Sequence, residues 1–165
     1  MSSQKHGYVI IDSNTTPLDL QPILFLLEYS SVLCVTVTGN KEVSLTKAYN
    51  ETLRILSLIG RFDVPVIRKT LSGVAAPAHC LSRICNKFPH KVTVVCLGPL
   101  TNVAVALQLN RKFEKSVKRV VCVSDGFNGK TIVPSWNFKV SVIWYSWLIN
   151  SVLTIYDFIL SFSWV

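Results

Sequence analysis

The sequence predicts an α/β domain with a mainly parallel β-sheet covered by helices on both faces. Three observations predict it. Short continuous apolar runs, many of them β-branched, recur at 8–11, 32–38, 64–67, 92–97 and 117–123. Amphipathic or apolar segments with helical spacing separate them. Turn-forming or small polar residues follow most of the runs. A strand buried on both faces reads as an unbroken apolar run, and alternation with helices favours parallel connections. Ligands of such sheets bind outside the carboxyl ends of the strands. The polar residues at 12–19, 39–40, 97–102 and 124–128 are therefore the places to look for chemistry.

Taken in order, 8–11 reads as a strand that ends in Asp12-Ser13-Asn14-Thr15-Thr16-Pro17. Residues 18–29 read as an apolar helix. If it starts near Pro17 or Leu18, Pro22 lies beyond its first turn and should bend it. Residues 32–38 form a strand broken by Gly39-Asn40. Residues 43–59 carry apolar side chains on one face and stop at Gly60, an amphipathic helix. A brief strand at 64–67 precedes a helix at 75–88. A strand at 92–97 ends at Gly98-Pro99, a helix follows at 100–109, and a strand at 117–123 ends in Ser124-Asp125-Gly126.

Bulk properties bound the rest. With 165 residues the chain suits one domain. Its formal net charge of +8 raises the question of nucleic acid. The densest basic run, Arg111, Lys112, Lys115, Lys118 and Arg119, is interrupted by Glu114 and lacks interleaved aromatic residues. A base-stacking platform needs those, so the run reads as a solvated helix end and loop, with no nucleic-acid partner. The five cysteines form no Cys-x-x-Cys pair. An odd count without disulfide spacing, and no secretory signal at the start, suggest a reducing compartment such as the cytoplasm. Residues 139–165 stand apart as an apolar tail with Trp144, Trp147 and Trp164. Its length permits a membrane span, while Asn150 and Asp157 inside it, and no basic cluster after it, favour a tail foreign to the domain.

Several segments in order resemble the inosine-uridine preferring nucleoside hydrolase family, over roughly residues 8–138. Asp12 to Asp19 follows a strand and is similar to the family's opening D-x-D-x-G-x-D-D. Val35 to Asn40 resembles a strand ending in T-x-x-x-G-N, and Asn50 to Arg61 resembles the helix N-A-L-R-L-L-x-L-x-G-R. Leu97-Gly98-Pro99-Leu100-Thr101-Asn102 is close to L-G-P-L-T-N, the most specific of the set. Pro134-Ser135-Trp136-Asn137 is a weaker match to P-x-A-E-x-N. The resemblance implies a Rossmann-like domain at 7–138 and Ca²⁺-dependent hydrolysis of the N-glycosidic bond of purine or pyrimidine ribonucleosides. It assigns Asp12, Asn14, Asp19 and the Leu97 backbone carbonyl to the metal, and Asn40 and Asn137 to the substrate. A ribonucleoside is the implied substrate, and oligomers with full-length relatives are implied partners.

The chain departs from that pattern where the chemistry is done. Asn14 stands at the general-base position, and an amide cannot take a proton at neutral pH. Leu18 replaces a ribose-binding carboxylate, Thr16 replaces the motif's glycine, and Ser135 replaces a glutamate. A backbone that needs a positive φ at Thr16 would be strained. The family's H-G-x-x-G-L-G loop after Ile67 and its later half, with a further acid and metal ligand, are missing. His79 and His90 match no catalytic histidine and read as surface residues. The expectation is a nucleoside hydrolase-like chain with impaired or lost activity. The alternative is a non-catalytic nucleoside-binding or oligomer-partner fragment, with the tail as a membrane tether.

Overall fold

The computed structural model describes residues 6–69, 75–124 and 153–157. Its sheet has six strands, β1 (His6–Ser13), β2 (Ser30–Val37), β3 (Val66–Arg68), β4 (Val92–Cys96), β5 (Arg119–Ser124) and β6 (Leu153–Asp157). They lie in the order β3-β2-β1-β4-β5-β6, and every pairing is parallel. The predicted α/β class and parallel sheet are as observed. The chain winds outward from β1 through β2 to β3, then returns to the other side of β1 with β4. The crevice between β1 and β4 is thus a topological switch point, where ligands of open α/β sheets bind.

The helices are α1 (Leu20–Tyr29), α2 (Leu45–Leu58), α3 (Ala76–Lys87), α4 (Thr101–Leu109) and α5 (Lys112–Ser116). Strand alternation divides the core between two faces. Val9 and Ile11 of β1 pack with Ile23 and Leu27 of α1 and with Ala48, Ile55 and Leu56 of α2. Ile10 packs with Leu81 and Cys85 of α3, Val103 and Ala106 of α4, and Phe113 of α5. Covered on both sides, β1 needs its unbroken apolar run, and Ile10 and Ile11 are both fully buried.

Three boundaries differ from expectation for local reasons. The first helix is two pieces, a 3-10 turn at Pro17–Asp19 and then α1. Pro22 therefore falls inside the first turn of α1, where its missing N–H would have had no helical partner, so it need not bend the helix. The third strand is shifted to Val66–Arg68. The basic run forms the separate short helix α5, in which Phe113 is buried while Lys112 and Lys115 are exposed, in keeping with a solvated surface.

All five cysteines are free and buried. His79 and His90 are exposed. Strand β6 comes from the stretch set apart as a tail and pairs with β5 along its length. Among the described residues, no helix is long and apolar enough to cross a membrane. The rest of the tail, the polar residues at 125–128, Ser135 and Asn137 lie outside the described residues.

Candidate functional site

The carboxyl ends of β2, β1 and β4 bring together two rows of side chains on the α3–α4 face. The register pairs Asp12 with Thr36 on one side and with Cys96 on the other. Two residues further along each strand lie Thr38, Asn14 and Gly98. The Thr38 N–H donates to the Ser13 carbonyl at 3.0 Å, and the Leu97 N–H donates to the Asp12 carbonyl at 2.8 Å. These bonds fix the two flanking segments against the end of β1.

Asp12 is fully buried. Its Oδ1 accepts from Thr36 Oγ1 at 2.6 Å and from Asn102 Nδ2 at 2.8 Å. Its Oδ2 is buried and has no hydrogen-bond partner in the protein. Burial pushes the carboxyl up to about 6, opposed by the bonds from Thr36 and Asn102. A lone buried carboxylate oxygen is costly unless a donor or a cation meets it.

Asp19 opens α1 and is also buried. Its Oδ2 accepts from Ser13 Oγ at 3.0 Å and from the Thr16 N–H at 2.9 Å. Burial raises its pKa, against the bonds from Thr16 and Ser13. One oxygen of Asp19 therefore organises the loop, the turn-and-helix-start role its position suggests. The loop's positive φ falls on Thr15, at 52°, rather than on Thr16 at −74°. A β-branched residue there is strained. Two bonds hold it: its N–H donates to Ser13 Oγ at 2.8 Å, and its hydroxyl meets Thr52 Oγ1 of α2 at 2.7 Å.

Asn14 is 3% exposed and lies directly against Gly98. A Cβ on Gly98 would stand 2.9 Å from the Asn14 backbone nitrogen, 3.3 Å from Asn14 Oδ1 and 3.1 Å from Thr38 Oγ1. Only glycine lets β4's end approach so closely. Gly98→Ala is expected to destabilise the chain by on the order of 2 kcal/mol through overpacking, read as a lowered denaturation midpoint in urea. An unchanged midpoint would show that the neighbouring backbone yields easily.

The remaining positions are placed as follows. Leu18 is 85% exposed on the 3-10 turn. Asn40 uses its Oδ1 to accept from the Glu42 and Val43 N–H groups at 2.9 and 2.6 Å, which ties the loop after Gly39. Asn102, the last residue of the L-G-P-L-T-N match, clamps Asp12 from α4. Thr36 and Thr38 were not singled out by sequence, because threonine inside a strand reads first as a β-former. Their spacing of two on the face shared with Asp12 was the available signal.

Among the described residues, no group of three or more His, Cys, Asp or Glu side chains could hold a metal. A hard cation asks for something different, namely several oxygens of any kind. The unpartnered Asp12 Oδ2, the Asn14 amide beside Gly98, Asp19 and the Leu97 carbonyl fit such an ion in donor chemistry. They are short of negative charge, with two carboxylates.

Fold and site together define an α/β protein with an acidic, oxygen-rich site at the switch point of a parallel sheet. Residues 9–141 match the family model for inosine-uridine preferring nucleoside hydrolase, and the chain belongs to that family. It is 28% identical to a probable uridine nucleosidase 2 of Arabidopsis thaliana, over 72% of this chain and 47% of the relative. It is 24% identical to a pyrimidine-specific ribonucleoside hydrolase of Photobacterium profundum, over 65% of this chain and 44% of the relative. A solved plant nucleoside hydrolase superposes with a TM-score of 0.62 at 26% identity, over 70% of this chain and 47% of that one. A purine-preferring ribonucleoside hydrolase from Gardnerella vaginalis shares the fold with a TM-score of 0.62 at 17% identity, over 70% of this chain and 48% of that one. The chain thus spans about half the length of these relatives.

Proposed function

We propose that this chain is a nucleoside hydrolase-like protein whose strand-end site takes the ribose of a ribonucleoside together with Ca²⁺, and whose hydrolysis of the N-glycosidic bond is impaired. The observation that carries the reading is the buried Asn14, seated between Thr38 and Gly98 where the family pattern has a carboxylate. Bound Ca²⁺ would supply a positive centre for ribose hydroxyls and a water. Asp12, Asp19, Asn14 and the Leu97 carbonyl would hold it. Asn14 can offer its amide oxygen to the ion but cannot remove a proton from water. Asp12 keeps its place through Thr36 and Asn102, which leave its Oδ2 without a partner in the protein. Leu18 offers the ribose no hydrogen bond. Loss of the base alone costs roughly 10²- to 10⁴-fold.

The test is ribose release from inosine and uridine by the full chain, with Ca²⁺ and with chelator. The expected rate lies far below the ordinary range of about 1–10³ per second, and a rate inside that range would overturn the reading. In parallel, Ca²⁺ and ribose should raise the melting midpoint, as ligands of the native state must.

A second reading, association with a longer relative, is favoured by exposed apolar side chains. Phe25, Leu58 and Phe62 are 60%, 72% and 80% exposed, and side chains of this kind mark interaction surfaces when they are contiguous. Co-elution with a full-length relative in size-exclusion chromatography would support it, and separate elution would remove it. The five free, buried thiols support a reducing compartment such as the cytoplasm.

A further inference from the structure

We propose that Thr38 is an additional cation ligand of this site, contributing its hydroxyl oxygen where the chain lacks carboxylates. The inference rests on the cation-binding reading above and deepens it.

Thr38 is 8% exposed, and its Oγ1 is buried without a hydrogen-bond partner in the protein. An unsatisfied buried hydroxyl is unfavourable, so the position asks for a ligand. Thr36, two residues earlier on the same strand face, behaves differently: its hydroxyl is consumed by Asp12 Oδ1. Thr38 stands one row closer to the open end of the sheet. A Cβ added to Gly98 would lie 3.1 Å from the Thr38 hydroxyl oxygen and 3.3 Å from Asn14 Oδ1. Both oxygens therefore border the Gly98 backbone, at the carboxyl ends of β2 and β1.

A second buried oxygen without a partner, Asp12 Oδ2, belongs to the adjoining row. The two orphans do not bond each other. With Asn14 Oδ1 they make one carboxylate, one hydroxyl and one amide oxygen at this end of the sheet. A hard cation uses all three kinds of oxygen at once. Thr38 precedes Gly39, at a position the motif T-x-x-x-G-N leaves open. It adds an oxygen beside Asn14, the position at which a charge has been given up.

The experiment compares the full wild-type chain with Thr38→Val, which keeps the shape and removes the hydroxyl, and Thr38→Ser, which keeps the hydroxyl. Each is melted in chelator and titrated with CaCl₂ by calorimetry. Thr38→Val is expected to melt higher than wild type in chelator, because the orphaned hydroxyl is gone. It is also expected to bind Ca²⁺ about tenfold or more weakly, a loss typical of removing a metal-site contact. Thr38→Ser should bind within a few-fold of wild type. Wild-type Ca²⁺ affinity in Thr38→Val would overturn the role of Thr38 alone. No Ca²⁺ binding by wild type would overturn the cation reading and this inference with it. Should the valine variant fail to fold, Thr38→Ala serves the same comparison.

Discussion

Asn14→Asp in the full chain is expected to raise Ca²⁺-dependent ribose release from a ribonucleoside by about 10²- to 10⁴-fold, the usual contribution of a positioned general base. The substitution changes one side-chain nitrogen to oxygen, so the packing against Gly98 is preserved. What changes is charge. A carboxylate at 14 can accept a proton and adds an anion to a cation site, which tightens binding. It also places a second buried carboxylate two residues from Asp12 on the same strand end. Like charges there disfavour ionisation. The variant should therefore melt lower than wild type in chelator at neutral pH and gain more from Ca²⁺. Ribose release and melting, each with Ca²⁺ and with chelator, separate these effects. An equal rate, with an equal Ca²⁺ shift, would mean that position 14 does not limit the site. Leu18→Asp added to Asn14→Asp should lower KM for the nucleoside, since it returns a hydrogen-bonding group to the exposed turn.

Much of the fold was legible because one physical demand governs it. A parallel strand covered on both sides is largely apolar along its covered length, and the central residues of β1, β2, β4 and β5 meet that demand well enough for their runs to stand out. β6 does not announce itself in the same way, since Leu153–Asp157 sits inside a long apolar stretch that few polar residues punctuate. The brief β3 was displaced by two residues for a related reason. Val64, Val66 and Ile67 are all apolar, and only pairing with Val35 to Val37 decides where the ladder starts. The split of the first helix depends on Asp19, whose bonds to Ser13 and Thr16 hold a turn that periodicity cannot see.

The site was legible in its carboxylates and less so in its neutral groups. Asp12 and Asp19 are conspicuous as charges beside an apolar strand. Thr36, Thr38 and Gly98 gain their meaning from the registers β1–β2 and β1–β4, which a single sequence leaves unspecified. Asn40 illustrates the converse. The family resemblance assigns it to the substrate, and in the structure its Oδ1 accepts from the N–H groups of Glu42 and Val43.

The calcium-free chain should become more stable as pH falls from about 7 towards 4, the reverse of ordinary acid denaturation. The cause is Asp12. In the folded chain burial raises its pKa from 3.8 to about 6, so near pH 7 it is ionised in both states, and the folded state carries the cost of a buried charge. As pH falls through 6 the folded chain takes up the proton while the unfolded chain remains ionised. The state that binds more protons is favoured by acid. The gain grows until the unfolded carboxyl protonates near 3.8, and at 1.36 kcal/mol per unit it amounts to about 3 kcal/mol. Asp19 is shifted in the same direction by burial and adds to the rise. Glu51 is lowered by its bond to Arg54 and opposes it, but that pair is exposed and solvent-screened, so its share is small. Urea denaturation in chelator at pH 7, 6, 5 and 4.5 measures the trend, and Asp12→Asn should remove most of it. Ca²⁺ binds the ionised carboxylate, so saturating Ca²⁺ should flatten the profile, and Ca²⁺ affinity should fall through pH 6. Stability that is flat or declines from pH 7 to 5 in chelator would show that Asp12 is not held as a costly buried anion. The case for a cation at its free oxygen would then lose its electrostatic ground.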